Sequence, residues 1–407
     1  MTDLISEILA TLRHNKLRTA LTGFAVSWGI FLLIVLLSVS RCLVNGMEYM
    51  FEKRDSQVMT IFGGWAHKPY KGLKDDREIA IVEGDMPVVE SRHGSWVSEV
   101  SGQIDGSSVN VSTPKDYINQ GYIGAYPSSL RSDGGTLTSG RFINDADLRE
   151  ARKVIVVHDD NVPILFGEAD PVGQRVVLNE LSFTVVGTYS HEWNRRSFIP
   201  YTTARNLAGG SDTLGRMVVK VHGINTPEAA SEAEEQLRST LGRRHSFDPT
   251  DESAVWVHNR LRDHMTTSSA MGYMQMAVWV IGILTMLSGI VGVSNIMFVS
   301  VRERTHEIGV RRAIGARPFS ILKQIILESV AITTLFGYVG IVFGVVVAQI
   351  IGMMTQGGDP QILRDPTVDL SIALEVTAVL IVAGAMAGLF PALKSLKIKP
   401  VEALRDE

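Results

Sequence analysis

Four long apolar segments dominate the pattern of hydrophobic and polar positions along this 407-residue chain. A helix needs about 20 predominantly apolar residues to cross the hydrocarbon core of a bilayer. Four segments meet this requirement and predict transmembrane helices 1 to 4, over residues 19–41, 271–301, 324–354 and 370–393. Glu375 is near the start of the fourth segment, where headgroup depth spares it the cost of an acid at mid-bilayer.

The long interval between the first two apolar segments has the composition of an ordinary soluble domain. Short runs bounded by turn residues predict strands, and Thr226-Pro227 ahead of a helically spaced apolar face predicts a helix. The predicted elements are strands over 58–62 and 153–158, helices over 160–166 and 226–241, and a hairpin of 174–178 and 182–188 connected by 179–181. Residues 42–270 are therefore predicted to form a large mixed α/β domain. Residues 265–273 are expected to extend helix 2 into a stalk tied to it.

Basic residues cluster at the two ends of the chain and between helices 2 and 3. They are Arg13, Lys16, Arg18, Arg302, Arg304, Arg311, Arg312, Arg317, Lys323, Lys394, Lys397, Lys399 and Arg405, whereas the loop over 355–369 holds only Arg364. Because short cytoplasmic loops carry the excess of Lys and Arg, both termini are predicted to be cytoplasmic. Residues 1–18 are expected to form an amphipathic helix at the inner interface, and 394–407 a cytoplasmic tail. A cleaved signal peptide is the less favoured alternative for 19–41, because the apolar run exceeds a signal-peptide core.

The predicted fold class is accordingly an integral membrane α-helical protein with four transmembrane helices. A large extracytoplasmic mixed α/β domain lies between helices 1 and 2. Three small-xxx-small spacings within the helices predict close backbone packing, including a dimer contact. They are Ser288 with Gly292, Gly340 with Gly344, and Gly384 with Gly388.

Composition and motifs exclude several classes of function. The net charge of −4 gives no reason to expect nucleic acid as a partner, and the single cysteine, Cys42, excludes an internal disulfide. The sequence has no G-x-x-x-x-G-K-[ST] loop and no G-x-S-x-G elbow, and neither His-Glu pair is followed by the second histidine of a zinc protease. We therefore expect no enzyme activity, no metal site and no cofactor in this chain. No predicted helix has a central cluster of charges, which disfavours a channel.

The charged stretch over 302–323 is the most informative part of the sequence, since it must lie at a membrane face between two spans. It is part of a resemblance that extends along nearly the whole chain, to the MacB-like permease subunits of ABC transporters, a group that includes the FtsX and Lol-type permeases. The segments that carry the resemblance are 297–316, 165–173, 183–187, 237–245 and 391–405.

This resemblance implies a bacterial inner-membrane permease that works with a separate ABC ATPase subunit. ATP and Mg would be bound by that ATPase, and a second permease copy would complete a homodimer or a pair with a sister permease. A periplasmic adaptor, an outer-membrane tunnel and membrane lipids are further expected partners. The residues assigned to ATPase coupling are Arg302, Glu303, Arg304, Glu307, Ile308, Gly309, Arg311, Arg312, Ala313 and Gly315. In the alternative interpretation these charges merely flank the membrane and satisfy the orientation rule.

Three functions remain open at this point. The first is export of a substrate from the periplasm or the outer leaflet, driven by extracytoplasmic conformational change. The second is FtsX-like mechanotransmission, which controls a cell-wall hydrolase without moving a solute. The third, a membrane-anchored enzyme, is disfavoured by the motifs. The size of the predicted outer domain favours export by analogy alone.

Overall fold

The computed structural model describes residues 16–52, 55–355 and 370–395. They divide into a helical unit, drawn from 1–49 and 270–407, and an α/β unit, drawn from 50–269. The amphipathic helix predicted over 1–18 lies outside the described residues except for its last three positions. The predicted outer loop beyond Thr355 and the tail beyond Ser395 also lie outside them.

The secondary structure begins with helix α1 and continues through most of the α/β unit. In chain order the elements are α1 (Lys16–Glu52), β1 (Val58–Ala66), β2 (Arg77–Ile79), α2 (Asp85–His93), β3 (Val97–Asp105), β4 (Val109–Ser112), β5 (Tyr117–Gln120), β6 (Tyr122–Ala125), α3 (Ser129–Asp133), β7 (Thr136–Gly140), α4 (Asp145–Arg149), β8 (Val154–His158), a 3-10 turn (Asp159–Asn161) and α5 (Val162–Phe166).

The remaining elements complete the α/β unit and supply most of the helical unit. They are β9 (Arg175–Leu178), β10 (Leu181–Ser190), β11 (Ser197–Pro200), α6 (Tyr201–Leu207), β12 (Arg216–Val221), α7 (Pro227–His245), β13 (Val255–Asn259), α8 (Arg260–Glu303), α9 (Thr305–Ala313), α10 (Pro318–Thr355) and α11 (Leu370–Ser395). By length and composition, α1, α8, α10 and α11 could each cross a membrane.

Glycines in the helical unit let α10 pack closely on α1, with the two helices parallel. Ser27 Oγ donates a hydrogen bond of 2.6 Å to the carbonyl oxygen of Phe336. About two turns further along both helices, a Cβ added at Gly344 would lie 2.8 Å from Ile34 Cγ2. Contacts that advance in the same direction on both chains show that α1 and α10 run the same way. The predicted pair Gly340 and Gly344 therefore packs within this chain.

The other two long helices run in the opposite direction. A Cβ at Gly384 of α11 would lie 2.9 Å from Val330 Cα, and one at Gly388 would lie 2.7 Å from Ser329 Cβ, so α11 is antiparallel to α10. On α8 the close contacts with α1 come from Gly282, against Leu33, and from Gly289, against Val26. These two glycines were not among the predicted pairs. Ser288, by contrast, is exposed on α8, and Gly292 is half-buried.

The α/β unit is built on a branched arrangement of thirteen strands. Its main path runs β13-β1-β12-β3-β6-β11-β8-β10-β9-β4-β5, with β2 paired to β1 and β7 paired to β10. The pairs β8–β10 and β6–β11 are parallel. Helices α2 and α7 contribute buried side chains to the same core as the strands, for example Val89 and Leu237. The predicted mixed α/β character of this region is confirmed.

Local turn chemistry explains where the predicted elements begin and end. Helix α7 starts at Pro227 because the Thr226 side chain caps it, accepting a hydrogen bond of 3.2 Å from the Ala229 amide. The predicted hairpin is present, but its connection is the two residues Asn179 and Glu180, at φ 47° and 66°. Two consecutive residues at positive φ form the tight turn that fits the twist of a hairpin. The prediction that residue 181 belongs to the connection was therefore wrong.

A buried carboxylate, Asp147, holds the start of α4 in place. Arg141 donates to both of its oxygens, at 2.6 and 3.1 Å, and Asn144 and Asp147 exchange backbone-to-side-chain hydrogen bonds of 3.0 Å. Burial by itself raises the pKa of Asp147. The hydrogen bonds from Arg141 and Asn144, with the charges of Arg141 and Arg152, outweigh burial and lower the pKa below its usual value. The ionised carboxylate therefore stabilises this part of the α/β unit.

A second buried carboxylate, Asp85, connects α2 to the end of α7. His245 Nε2 is 2.8 Å from Asp85 Oδ2, and Arg244 Nε approaches the other oxygen at 2.5 Å. Burial raises the pKa of Asp85, but the hydrogen bonds from His245 and the Val82 amide, with the nearby positive charges, lower it overall. The Asp85 carboxylate thus links α2 to the end of α7, two helices that are far apart in the sequence.

Candidate docking site on helix α9

The charged segment of the sequence forms a short helix, α9, between two long helices. α8 ends at Glu303, and Arg304 adopts φ −99° and ψ 16°, which interrupts the helical path before α9 starts at Thr305. After α9, Gly315 has φ +98°. Its amide donates to the carbonyl of Arg312, and the Ala316 amide donates to that of Arg311. This is the double hydrogen-bond pattern that ends a helix at a left-handed glycine, so the chain turns here toward α10.

Two polar contacts fasten α9 to the first turns of α10. Arg304 Nη1 is 3.3 Å from both carboxylate oxygens of Glu328, whose side chain is only 6% exposed. Near the other end of α9, Arg311 Nη1 donates a hydrogen bond of 3.0 Å to Gln324 Oε1. A hydrogen-bonded ion pair shielded from solvent contributes more than an exposed one. The orientation of α9 is therefore set mainly at its N-terminal end.

The inner face of α9 is apolar and packs within this chain. Ile308 belongs to the core of the helical unit, and a small cleft shared with Ile321 and Ile325 of α10 lies beside it. Gly309 is buried next to Ile308. Ile308 was assigned to ATPase coupling, but its side chain is only 8% exposed. It therefore has little surface left to offer a partner, because its apolar side chain is already buried against α10.

Three exposed residues, Glu307, Arg311 and Ile314, form a stripe along α9 and its C-terminal end that we call the docking stripe. These residues are spaced four and three positions apart, which places them on one side of a helix. Arg311 Nη2 is 2.5 Å from Glu307 Oε1. Ile314 is 82% exposed, so its apolar side chain is available for contact with a partner. The stripe combines a fixed pair of charges with one apolar contact.

The remaining predicted coupling residues are distributed around this stripe. Arg302, Glu303, Ala313 and Gly315 are exposed, and Arg312 is half-buried. The sequence interpretation missed Ile314, for which the spacing from Glu307 and Arg311 was an available signal. It also missed Glu328, and no local pattern connects that residue to Arg304. Among the described residues no group of three or more His, Cys, Asp or Glu side chains could hold a metal ion.

Comparison with known protein families identifies two consecutive regions of the chain. A family model for the MacB-like periplasmic core domain matches residues 19–239. A second, for the FtsX-like permease C-terminal domain, matches residues 279–400. The second match contains α9 and the docking stripe.

Curated relatives match along nearly the full chain. The macrolide export ATP-binding/permease protein MacB of Chlorobium luteolum is 26% identical over 416 residues, which cover 99% of this chain and 60% of that protein. The protein of the same name from Campylobacter fetus is 27% identical, with 98% of this chain and 60% of that protein covered. The chain thus spans about three-fifths of the length of these relatives.

Two solved structures are similar to part of the chain. The periplasmic region of MacB from Actinobacillus actinomycetemcomitans covers 55% of this chain and 97% of its own, at 19% identity and a TM-score of 0.44. The extracellular domain of the ABC-type transporter YknZ from Gram-positive bacteria covers 50% of this chain and 100% of its own, at 14% identity and a TM-score of 0.41. Since the first family model alone matches more than half of the residues, the chain belongs to the MacB-like family of permeases with an FtsX-like C-terminal domain.

Proposed function

We propose that this chain is the permease subunit of a MacB-type ABC transporter of the bacterial inner membrane. It couples ATP hydrolysis in a separate ATPase subunit to a conformational change of the α/β unit, which drives export from the periplasm or the outer leaflet. The observation that carries the proposal is the docking stripe on α9. An exposed, pre-oriented helix at the junction of two long apolar helices is suited to receive a soluble partner.

Membrane orientation is part of the same proposal. The alternating directions of α1, α8, α10 and α11 support four spans, with both termini and α9 in the cytoplasm, where the basic residues are concentrated. The α/β unit then lies outside. The 44 residues of α8 form one continuous helix, about 66 Å long. This is about twice the roughly 30 Å hydrocarbon core, so α8 is longer than a single bilayer crossing requires.

The partners follow from what the relatives are named for. Those relatives are ATP-binding/permease proteins, so ATP and Mg would be bound by an ABC ATPase that works with this permease. An ABC ATPase acts as a pair, so a second permease copy, identical or a sister, would supply the second docking helix. A periplasmic adaptor and an outer-membrane tunnel would complete an export route. We choose export because the relatives are named for macrolide export.

The test is a charge reversal on the docking stripe. We expect Glu307→Lys to insert into the membrane normally and to lose co-purification with the ATPase from native membranes. Glu235→Lys makes the same charge change at an exposed position of α7 and is the matched control. The double variant Glu307→Lys/Arg311→Glu restores an internal ion pair with reversed polarity. If docking depends on the sign of the exposed charges at these two positions, this double variant remains defective.

Two results would contradict the proposal. Unchanged ATPase association in Glu307→Lys would mean that the charges only flank the membrane. Full recovery in the double variant would mean that the internal pair matters and its polarity does not. The FtsX-like alternative predicts the same ATPase contact, but a cell-wall hydrolase in the co-purified material in place of an adaptor or tunnel.

A further inference from the structure

A groove between α8 and α11 has a cationic end and an apolar end. Two adjoining cavities, of about 490 and 520 Å³, share Asn295 and Phe298 and form one continuous depression. The polar cavity is also lined by Arg302, Thr305 and Lys394. The apolar cavity is lined by Leu287, Ile290, Val291, Gly292, Met386 and Phe390.

The cationic end of the groove coincides with the ends of both helices. α8 and α11 each run antiparallel to one of the parallel helices α1 and α10, so their C-termini lie on the same side. Cations are favoured at helix C-termini, and the side chains here are Arg302 and Lys394. Lys394 Nζ lies 5.2 Å from the centre of the Phe298 ring, at the junction of the two cavities. The two positive charges therefore lie where the apolar part of the groove begins.

The length of the groove matches one leaflet of a bilayer. Fifteen helical residues separate Leu287 from Arg302, which corresponds to about 22 Å. One leaflet with its headgroups is about 20–22 Å thick. The apolar end is open to the surroundings of the helical unit, since Val291 is 68% and Phe390 71% exposed. An acyl chain could therefore enter it sideways from the surrounding lipid.

We propose that this groove binds one anionic glycerophospholipid, with its phosphate at Arg302 and Lys394 and its acyl chains along α8 and α11. Basic pockets between membrane helices on the cytoplasmic side have this chemistry. Asn295 and Thr305 supply further hydrogen-bonding groups for the headgroup, and Gly292 leaves room for a chain. No docking-stripe residue lines the groove, but Arg302 is also among the residues assigned to ATPase coupling, so lipid binding is measured on the chain without the ATPase.

A second copy of this chain fits the groove less well. A two-fold contact brings the same patch of each subunit together. Because Arg302 and Lys394 are at the same depth in both copies, four cations would then meet, and like charges at an interface are costly. An anionic headgroup instead neutralises the pair. Charge complementarity thus favours lipid over a subunit contact.

The test is native mass spectrometry of the full chain, released gently from detergent and titrated with phosphatidylglycerol or phosphatidylcholine of identical acyl chains. We expect the first phosphatidylglycerol to bind about tenfold more tightly than phosphatidylcholine. Arg302→Gln/Lys394→Gln should abolish this preference, since each cation near a lipid surface is worth roughly fivefold in affinity. Arg317→Gln/Lys323→Gln removes the same charge at exposed positions outside the groove and should retain the preference.

A second variant tests the apolar end. Gly292→Leu fills the groove while leaving both cations in place, and should weaken binding of the tightest phospholipid severalfold. Gly272→Leu, on an open surface of α8, should not. Equal affinity of the unmodified chain for the two lipids would overturn the proposal. So would an unchanged preference in the double variant, or a change of oligomeric state in Gly292→Leu with lipid binding intact.

Discussion

Arg304 Nη1 lies 3.3 Å from both carboxylate oxygens of Glu328, a residue 24 positions further along the chain. This relationship joins the break between α8 and α9 to the third turn of α10. Because Glu328 is almost completely buried, the pair defines where the coupling helix begins and how it is oriented.

Truncation of Arg304 should therefore release the N-terminal end of α9. Arg304→Ala leaves the buried carboxylate without this guanidinium, and we expect a loss of about 2–3 kcal/mol in the local stability of α9. Hydrogen exchange of the α9 amides in lipid nanodiscs should accelerate on the order of 100-fold. Lys323→Ala, at an exposed position of α10 outside the lipid groove, is the control. Equal exchange in the two variants would show that the Glu328 contact does not hold α9.

Close packing of α10 on α1 makes a second prediction. A Cβ at Gly344 would be 2.8 Å from Ile34 Cγ2 and 2.9 Å from Ile34 Cβ. Even Gly344→Ala should therefore lower the stability of the protein measurably, and Gly344→Leu should force the two helices apart. We expect Gly344→Leu to cost about 1–3 kcal/mol, read as a lower temperature for loss of monodisperse protein in detergent. Gly272→Leu has open space around it and should melt like the unmodified chain. If both leucine variants behave alike, these helices do not pack as described.

The lowered pKa of Asp147 predicts a pH-dependent contribution to stability. A carboxylate whose pKa is depressed by folding stabilises the native state above its unfolded pKa, about 3.9, and loses this contribution as pH falls through the folded pKa. Asp147→Asn should therefore destabilise the α/β unit at pH 6, and the difference from the unmodified chain should shrink below about pH 4. Denaturant unfolding of the two solubilised chains at pH 6 and at pH 3 measures this difference in the free energy of unfolding. A difference that is the same at pH 6 and pH 3 would exclude a role for the charge.

The β9–β10 hairpin predicts a stabilising substitution. Glu180 is held at φ 66°, a region that costs a residue with a Cβ about 1–2 kcal/mol, whereas glycine adopts it freely. We expect Glu180→Gly to stabilise the hairpin by about 0.5–1 kcal/mol, seen as slower hydrogen exchange in β9 and β10. Glu180→Val, with a branched side chain at the same φ, should accelerate exchange. The opposite order would contradict the tight-turn geometry.

Much of the architecture is predictable from local sequence because its causes are local. Apolar length alone identifies four helices that could span a bilayer, and Thr226-Pro227 marks the start of α7 to within one residue. The turn at Gly315 follows from the preference of glycine for positive φ. The hairpin itself was predicted, but the predicted connection was one residue too long. Leu181 pairs with Leu178, and this pairing depends on the register of the two strands.

The tertiary structure decided which face of each element is used. α9 could have presented Ile308 or Ile314 to a partner; packing against α10 buries the first and leaves the second exposed. The sequence indicated small residues for helix packing, but only the structure shows that Gly340 and Gly344 meet α1, while Gly384 and Gly388 meet α10. The partner of Arg304 and the groove between α8 and α11 likewise depend on helices that are distant in sequence. Helical periodicity determines which residues share a face, but the choice of the buried face depends on the neighbouring helix.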